Sequence, residues 1–314
     1  MPTDAHRGKN IFACHRCPSV FIGGFFCISG LIMRVLVTGA SGQLAHAIRL
    51  IWSAHDLLLP EESLLDLSKQ TAIQSVVSEV RPDVVVNCGA FTQVDRCESE
   101  ADLAQLINGT AVGWLAEACE AQGAMLIQVS TDYVFDGTAT RPYREEDPTN
   151  PVSVYGRTKL DGEVQAARCR RHLIARTSWL YDAWGKNFLN TMLNAAAQSR
   201  SLRVVDDQRG APTTCRALAR QLKVATEEGW QGIVHTTCAG ETTWHGFAKA
   251  IFEAKGIAAD LSPCTTADYP TPARRPAYSV LDGHRRRSLG PDLMPHWHDA
   301  LLEVLHERTT DEHR

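Results

Sequence analysis

The sequence lacks several features that would assign it to a specialised class of protein. Its formal net charge is only -4 over 314 residues, and the signs are interspersed, so it offers no basic stripe to nucleic acid and no polybasic membrane anchor. An N-terminal apolar run, "PSVFIGGFFCISGLIM", has only about 15 residues, too few for a membrane helix. No internal repeat occurs. With 44% hydrophobic and 22% charged residues, the chain is instead typical of globular enzymes that act on small molecules.

Cysteine usage gives no disulfide framework. The ten cysteines are scattered without even spacing and mostly lie in apolar contexts such as "VVVNCGAF" and "LAEACEA". We interpret them as reduced thiols and expect a cytoplasmic protein. Cys14 and Cys17 form a CxxC, but a structural zinc site needs two further ligands at a matching spacing, so we predict no metal there.

Residues 1–32 differ in composition from the rest of the chain. Arg7, Lys9 and Arg16 precede the apolar run, as in a signal peptide, yet no small-residue cleavage site follows it. Met33 immediately opens a strand that the fold needs. We therefore expect residues 1–32 to be disordered or to precede the true translation start, with a genuine extension as the alternative.

From Met33 onward, short β-branched runs alternate with longer amphipathic segments. This alternation predicts βαβ units and an α/β fold with a doubly wound parallel sheet of the Rossmann type. "MRVLVTG", "PDVVVNCGA" and "AMLIQVSTD" are apolar enough for buried strands. Helices are predicted over residues 43–53, 67–80, 100–121, 158–168, 185–198 and 294–307. We assign residues 33–180 to an NAD(P)-binding domain and residues 181–314 mostly to a smaller substrate-binding portion, with some segments returning to the sheet.

The segment "TGASGQLAHA" predicts a dinucleotide-binding turn. Gly39 and Gly42 lie between a strand and a helix, where glycines let a pyrophosphate approach the helix N-terminus. Ala45 stands at the third glycine position, which governs helix packing rather than phosphate contact. A lone glycine pattern also fits an ordinary strand-to-helix turn, but its place at the start of a βαβ unit favours the dinucleotide. The candidate cofactor residues here are Gly39, Ser41, Gly42, Gln43 and Leu44.

The choice between NAD and NADP is open at this stage. An acidic side chain after the second strand would bind the ribose hydroxyls of NAD, and a basic one the 2′-phosphate of NADP. Glu61 and Glu62 follow that strand but could be solvated charges. Asp66, which with Leu67 is a further cofactor candidate, could meet the adenine or cap the next helix.

The segment "NCGAFTQVD" follows a buried strand, at the edge where ligands of open parallel sheets bind. Its small residues can face the cofactor while later side chains face the substrate. The alternative is a small-residue turn with Asp95 capping a helix. The candidates are Gly89, Ala90 and Phe91 toward the cofactor and Thr92 and Val94 toward the substrate.

A tyrosine and a lysine four positions apart, Tyr155 and Lys159, follow Thr131 at the end of "VSTDYVFDG". A spacing of four places both side chains on one helix face. A phenol has a pKa of about 10, and a neighbouring ammonium favours the phenolate. Alone, Thr131 could cap a helix and the pair could arise by chance. Together with the glycine turn they predict a catalytic triad.

The motifs "GASGQLA", "STDYVFDG", "YGRTKLDGE", "RTSWLY", "DDQRGAPT" and "RPAYSVLD" resemble those of the extended short-chain dehydrogenase/reductases. Within them the chain is similar to the dTDP-4-dehydrorhamnose reductase family from Met33 to near the C-terminus. The resemblance implies NADPH-dependent reduction, with NADH as the other option, of the C4 keto group of dTDP-4-dehydro-L-rhamnose to give dTDP-L-rhamnose. The alternatives are a reductase of another nucleotide-linked 4-keto sugar and a non-catalytic dinucleotide-binding subunit resembling the regulatory subunit of methionine adenosyltransferase.

The resemblance also implies roles for individual residues. Tyr155 would protonate the C4 oxygen, Lys159 would hold the nicotinamide ribose and lower the tyrosine pKa, and Thr131 would bond the keto oxygen. Arg274 or Arg275 could pair with the diphosphate, or both could be solvated charges. The residues that would line the sugar site are Thr92, Val94, Asp132, Tyr133 and Trp179, of which Trp179 could instead belong to the core.

One position departs from the family pattern. Some members bind magnesium through glutamates at a dimer interface, and Ala47 occupies one of those positions here. This departure argues against Mg²⁺, so we predict no metal, and a homodimer stays open. The expected partner is a dTDP-sugar, with neither nucleic acid nor a membrane.

Overall fold

Short apolar strands alternate with helices along the chain. The computed structural model describes the backbone of residues 32–311 and the side chains of residues 32–306. The expectations for residues 1–32, including the CxxC, therefore lie outside the described residues except at Ile32. The described strands are β1 (Arg34–Thr38), β2 (Asp56–Leu58), β3 (Val84–Asn87), β4 (Met125–Thr131), β5 (His172–Thr177), β6 (Leu180–Tyr181), β7 (Leu202–Val205), β8 (Arg209–Gly210), β9 (Thr213–Thr214), β10 (Gly232–His235), β11 (Thr242–Thr243) and β12 (Leu261–Cys264).

The helices of the described part are of ordinary length. They are α1 (Gln43–Ile51), α2 (Gln70–Val80), α3 (Val94–Ser99), α4 (Ala101–Gln105), α5 (Ala111–Gln122), α6 (Val154–Ala166), α7 (Phe188–Ala197), α8 (Cys215–Glu227), α9 (Trp244–Lys255), α10 (His284–Leu289) and α11 (Trp297–Asp311). A π-helical turn spans Leu106–Thr110, and 3₁₀ turns span Asp132–Val134 and Thr266–Asp268. Within residues 32–311 no helix is both long and apolar enough to cross a membrane.

Six of the described strands form one parallel sheet in the order β2-β1-β3-β4-β5-β10. The chain runs outward from β1 to β2 and then crosses to β3 on the other side of β1. The connections therefore diverge between β1 and β3, and doubly wound sheets bind their ligands beyond the carboxyl ends of the strands at such a point. The predicted doubly wound parallel sheet is confirmed.

Helices cover both faces of this sheet. Val35 and Val37 of β1 enter one apolar layer together with α1 and α8, whereas Leu36 enters the opposite layer with α2 and α5. The indole of Trp52 joins the first layer by donating to the carbonyl of Ala219 at 2.8 Å. Because both faces are buried, the strands consist of continuous apolar runs rather than alternating apolar and polar residues.

Several helices differ from the sequence-based prediction. Helices α8 and α9 were absent from it, although each begins with a threonine whose side chain accepts a backbone amide, Thr214 and Thr243. The helix predicted over residues 100–121 is interrupted by the π-helical turn. Helix α3, which precedes it, is not among the predicted helices.

The C-terminal half of the chain contributes elements to two parts of the structure. Strand β10 and helix α8 extend the large sheet and its helical layer, while α7, α9 and α11 enclose a separate apolar cluster around Tyr181, Phe247 and Leu301. Three small sheets pair β6 with β9, β7 with β12, and β8 with β11. The assignment of residues 33–180 to the dinucleotide and 181–314 mostly to the substrate stays a prediction.

Replacing Leu222 by alanine tests the packing of α8 on the sheet. Leu222 is fully buried in the layer with α1, and such truncations cost about 2–5 kcal/mol. Leu302→Ala is the matched control, because Leu302 on α11 is 44% exposed and surface truncations cost about 0.5 kcal/mol or less. Urea denaturation measures both, and equal losses would contradict this packing.

Candidate active site

Two glycine turns meet at the divergence between β1 and β3. Gly39 has a φ of +65°, and a Cβ built there would lie 2.8 Å from the backbone of Gly89. A Cβ on Gly89 would in turn lie 2.5 Å from Leu67. The amide of Gly42 donates to the carbonyl of Gly39 at 2.8 Å, and α1 begins immediately afterwards. Close backbone approach beside a helix N-terminus is what binding of a pyrophosphate requires.

The other predicted residues of the first turn differ in exposure. Ser41 is exposed, whereas the side chain of Leu44 packs inside the apolar layer. Gln43 accepts a hydrogen bond from Asn187 at 2.7 Å and donates to the carbonyl of Lys186 at 3.4 Å. Gln43 therefore ties the start of α1 to the segment that precedes α7.

Asp66 is engaged within its own turn. Its carboxylate accepts from the Ser68 hydroxyl at 2.6 Å and amide at 2.9 Å, and it pairs with Lys69 at 3.0 Å. These hydrogen bonds lower the pKa of Asp66 to about 2. Helix α2 starts after Lys69 without a side-chain cap, so Asp66 shapes the preceding turn, and its contact with adenine stays a prediction. Glu61 and Glu62 are exposed.

A chain of buried polar side chains crosses the strand ends. The Thr38 hydroxyl donates to Asn87 at 2.5 Å, Asn87 donates to Gln128 at 2.7 Å, and Gln128 donates to the carbonyl of Val129 at 2.9 Å. The same carbonyl accepts from the Lys159 ammonium at 2.7 Å. These bonds connect β1, the strand that precedes the glycine turn, with Lys159, the predicted catalytic lysine.

Helix α6 begins earlier than predicted and carries both Tyr155 and Lys159. The Ser153 hydroxyl caps it by accepting from the Gly156 amide at 3.1 Å, so Tyr155 lies in the first turn and Lys159 one turn further on. A Cβ on Gly156 would lie 2.2 Å from the carbonyl oxygen of Tyr133. Glycine at this position therefore lets α6 touch the turn that follows β4.

The predicted catalytic and sugar-site residues lie together at this contact. Thr131 lies close enough to Tyr155 for its hydroxyl to influence the phenol. Thr131 also donates to Asp132 at 3.0 Å and accepts the amide of Tyr133 at 3.2 Å. The rings of Tyr133 and Tyr155 meet edge to face, with centroids 5.6 Å apart. The structure thus joins residues from β4, the following turn and α6 in one group.

The pKa of the Tyr155 phenol depends on the groups packed around it. Burial raises its pKa, the carboxylate of Asp132 raises it further, and the nearby Thr131 hydroxyl opposes them. The pKa of the phenol is therefore raised in this structure, and a lowering by Lys159, whose ammonium donates to the Val129 carbonyl, stays a prediction. Burial also lowers the pKa of Lys159 to about 8 and raises that of Asp132 to about 6.

Trp179 forms part of a wall of aromatic rings. It stacks on Trp244 with centroids 3.5 Å apart and planes at 6°, and a Cβ on Gly210 would lie 2.5 Å from its indole. Its φ of +48° is strained for a bulky side chain, at a cost of roughly 1–3 kcal/mol, and such strain clusters at functional sites. Trp179 is half-buried, which favours the wall over the core, and its contact with a sugar stays a prediction.

Asp95 and Arg275 form an ion pair that the sequence did not reveal. The Asp95 carboxylate accepts from the two terminal nitrogens of Arg275 at 3.1 and 2.9 Å and from the Ala273 amide at 3.2 Å, and these bonds lower its pKa. Arg275 also lies near the Tyr133 hydroxyl, which is among the groups that raise the pKa of the guanidinium. Asp95 therefore pairs rather than caps α3, and binding of the diphosphate by Arg275 or by the exposed Arg274 stays a prediction.

Asn108, in the π-helical turn, is a further site residue that the sequence-based prediction missed. It accepts the amide of Phe91 at 2.8 Å and donates to the Phe91 carbonyl and the Thr158 hydroxyl, both at 3.1 Å. It thereby fixes the loop after β3 against α6. The only local signal is an Asn-Gly pair inside the predicted helix. Of the other predicted residues in this loop, Ala90 and Val94 are half-buried and Thr92 is exposed.

No metal centre accompanies this site in the described part of the chain, where no three His, Cys, Asp or Glu residues lie close enough together to hold an ion. Ala47 is fully buried in the layer between α1 and the sheet. The position that carries a glutamate in some relatives therefore faces the core here.

Comparison with known proteins matches the chain along most of its length. A family model described as the RmlD substrate binding domain matches residues 33–310. A dTDP-4-dehydrorhamnose reductase of Burkholderia thailandensis is 41% identical over 291 residues, covering 86% of this chain and 97% of that protein. A Streptomyces antibioticus protein, named a probable dTDP-4,6-dihydroxy-2-methyloxan-3-one 4-ketoreductase, is 39% identical and covers 90% and 97%.

A solved structure agrees with these sequence matches. The crystal structure of dTDP-4-dehydrorhamnose reductase from Bacillus anthracis in complex with NADP superposes with a TM-score of 0.86 at 33% identity, covering 88% of this chain and all of that one. The chain therefore belongs to the dTDP-4-dehydrorhamnose reductase family of the extended short-chain dehydrogenase/reductases.

Proposed function

We propose that this protein reduces the C4 keto group of dTDP-4-dehydro-L-rhamnose with NADPH, giving dTDP-L-rhamnose. The observation that carries the proposal is the grouping of Thr131, Tyr155 and Lys159 at the carboxyl edge of the sheet, beside the turn at Gly39. The relatives named as this reductase, one of them solved with NADP, support both the reaction and the cofactor.

The glycine turns would hold the dinucleotide. Its pyrophosphate would lie at the N-terminus of α1, beside Gly39, Gly42 and Gly89, which have no side chains to block its approach. When bound, its nicotinamide supplies the hydride that C4 accepts. Lys159, anchored by the Val129 carbonyl, would bind the nicotinamide ribose.

Proton delivery falls to Tyr155. Its raised pKa keeps the phenol protonated at neutral pH, which suits a general acid. As negative charge develops on the C4 oxygen, the Thr131 hydroxyl donates a hydrogen bond to it and Tyr155 transfers its proton, so the C4 carbonyl becomes a hydroxyl. The ammonium of Lys159 then stabilises the phenolate that remains.

A second candidate is a reductase of another dTDP-linked 4-keto sugar. The Streptomyces antibioticus relative carries a different substrate in its name at nearly the same identity, 39% against 41% for the Burkholderia reductase. The proton-delivery residues serve either sugar, since they act on the keto group. Discrimination would depend on the residues that line the sugar, including Tyr133 and Trp179.

Three further assignments belong to this proposal. Residues 33–180 would bind the dinucleotide, and residues 181–314 mostly the sugar nucleotide. The reaction would take place in the cytoplasm, which is supported by the seven described cysteines being free thiols. A homodimer stays a prediction.

Turnover of defined substrates tests the proposal. The full chain is incubated with dTDP-4-dehydro-L-rhamnose and either NADPH or NADH, and nicotinamide absorbance and the sugar product are followed. We expect NADPH oxidation and dTDP-L-rhamnose. Oxidation only with a different dTDP-4-keto sugar would favour the second candidate, and cofactor binding without turnover of any such sugar would refute a reductase.

Replacing Tyr155 by phenylalanine removes the proton donor but keeps the ring. We expect kcat to fall by about 10²–10⁴-fold, because general acid catalysis contributes about that much, with the Kd for NADPH unchanged. Tyr269→Phe is the matched control, since Tyr269 is 59% exposed. A loss in Tyr155→Phe no larger than in the control would exclude Tyr155 as the acid.

Replacing Gly39 by alanine tests the dinucleotide groove. Its new Cβ would clash with Gly89, whereas Gly123→Ala is a matched control with a similar φ of +68° and no atom within 4 Å of the new Cβ. Both variants carry backbone strain of roughly 1–2 kcal/mol. We expect only Gly39→Ala to weaken NADPH binding, by about tenfold or more, in a fluorescence titration. Equal affinities in both variants would place the dinucleotide elsewhere.

A further inference from the structure

The buried face of α6 continues beyond the catalytic pair to a carboxylate. Tyr155, Lys159 and Glu163 follow one another at intervals of one helical turn, so they share a face. Lys159 and Glu163 are each only 3% exposed. Burying a charge is costly unless an opposite charge or hydrogen bonds compensate it. This face of α6 therefore holds two opposite charges where helices usually present apolar side chains.

Glu163 is held rigidly from two strands. Arg176 on β5 donates to its two carboxylate oxygens at 2.9 and 2.7 Å, and Ser130 on β4 donates to one of them at 2.5 Å. Arg176 is itself 2% exposed and lies over the ring of Phe135. A carboxylate with this set of donors cannot rotate away from the helix face, and Ser130 directly precedes Thr131 of the catalytic group.

Few of the groups around Lys159 can offset the cost of burying its positive charge. From β4, the group that contacts its ammonium is the uncharged Val129 carbonyl. Burial lowers the pKa of Lys159, Glu163 on the same helix raises it, and Cys88, in the turn after β3, acts in the same direction to a smaller extent. Burial also raises the pKa of the Cys88 thiol to about 12, so that group is neutral at physiological pH. Glu163 is then the carboxylate that offsets the burial of the lysine.

We propose that Glu163 is a positioning residue for catalysis: its carboxylate, fixed by Arg176 and Ser130, is the counter-charge that keeps the buried Lys159 an ammonium. The inference rests on the proposed function, in which that ammonium binds the ribose and stabilises the phenolate. Without the carboxylate, Lys159 would lose its proton near neutral pH and both effects with it.

The competing explanation is that Glu163 and Arg176 are only a structural ion pair. In that case the two partners are equivalent, because removing either leaves the other as an unpaired buried charge. For the charge of Lys159 they are not equivalent. Loss of the Glu163 carboxylate removes negative charge near the ammonium, whereas loss of Arg176 removes positive charge. The two single variants therefore separate the explanations.

Direct titration of the lysine provides the test. In the full chain labelled with [ε-¹³C]lysine, the Lys159 signal is assigned by its loss in Lys159→Arg, and its pKa is measured by NMR. We expect Glu163→Gln to lower the pKa of Lys159 by about one unit or more. Arg176→Met should leave it unchanged or raise it. Glu163→Met/Arg176→Met should behave like Glu163→Gln, although it carries no unpaired buried charge.

The pH dependence of kcat/KM should shift in the same direction as the pKa of Lys159. Lys159 acts as an ammonium, so kcat/KM falls as the pH rises through its pKa. That alkaline limb should shift to lower pH in Glu163→Gln and in the double variant but not in Arg176→Met. Asp292→Asn is the control, because it frees another buried arginine, Arg286, from an ion pair of 2.7 and 3.1 Å. It should lose stability and keep the wild-type pKa of Lys159.

Two results would overturn the inference. One is an unchanged pKa of Lys159 in both Glu163→Gln and the double variant. The other is an equal downward shift in Glu163→Gln and Arg176→Met, which identifies a structural pair. If Glu163→Gln does not fold, the double variant decides. A wild-type chain without reductase activity would refute the proposed function alone, since the NMR titration needs no turnover.

Discussion

The buried ammonium of Lys159 is the constraint on which the site depends. A cation at the carboxyl edge of the sheet is tolerated only where oxygens converge on it, and the Val129 carbonyl lies 2.7 Å away. That carbonyl also accepts from Gln128, which is itself bonded to Asn87. The adjacent strand ends are therefore cross-linked by polar side chains, and the orientation of the lysine is decided by the sheet as well as by its own helix.

Close backbone approach is the second requirement. Gly39 and Gly89 bring together two turns that follow different strands, and Gly156 brings α6 against the carbonyl of Tyr133. Glycine within a helix costs about 0.5–1 kcal/mol, and at position 156 it permits contact between the first turn of α6 and the turn that follows β4. The glycines thus determine the separations within the site, whereas the polar side chains determine its chemistry.

Contacts distant in sequence join the N-terminal and C-terminal halves of the described chain. Gln43, at the start of α1, bonds Asn187 ahead of α7, and Asp95, at the start of α3, bonds Arg275 near the C-terminus. Arg275 in turn lies near the hydroxyl of Tyr133, whose ring packs edge to face on that of Tyr155. The C-terminal segment therefore packs against the group of Tyr133 and Tyr155, and it helps to hold the predicted catalytic residues in place.

Local patterns were sufficient for the parallel sheet, the glycine turn and the shared face of Tyr155 and Lys159, because strand burial, tight turns and helical spacing are properties of short segments. The sequence alone could not show that the pKa of Tyr155 is raised, since burial depends on everything packed around the phenol. Nor could it show that Asp95 pairs with Arg275, 180 residues further along the chain, or that α8 packs on one face of the sheet. Spacing determined which side chains share an element, and the tertiary structure decided which charges meet and how far water is excluded from them.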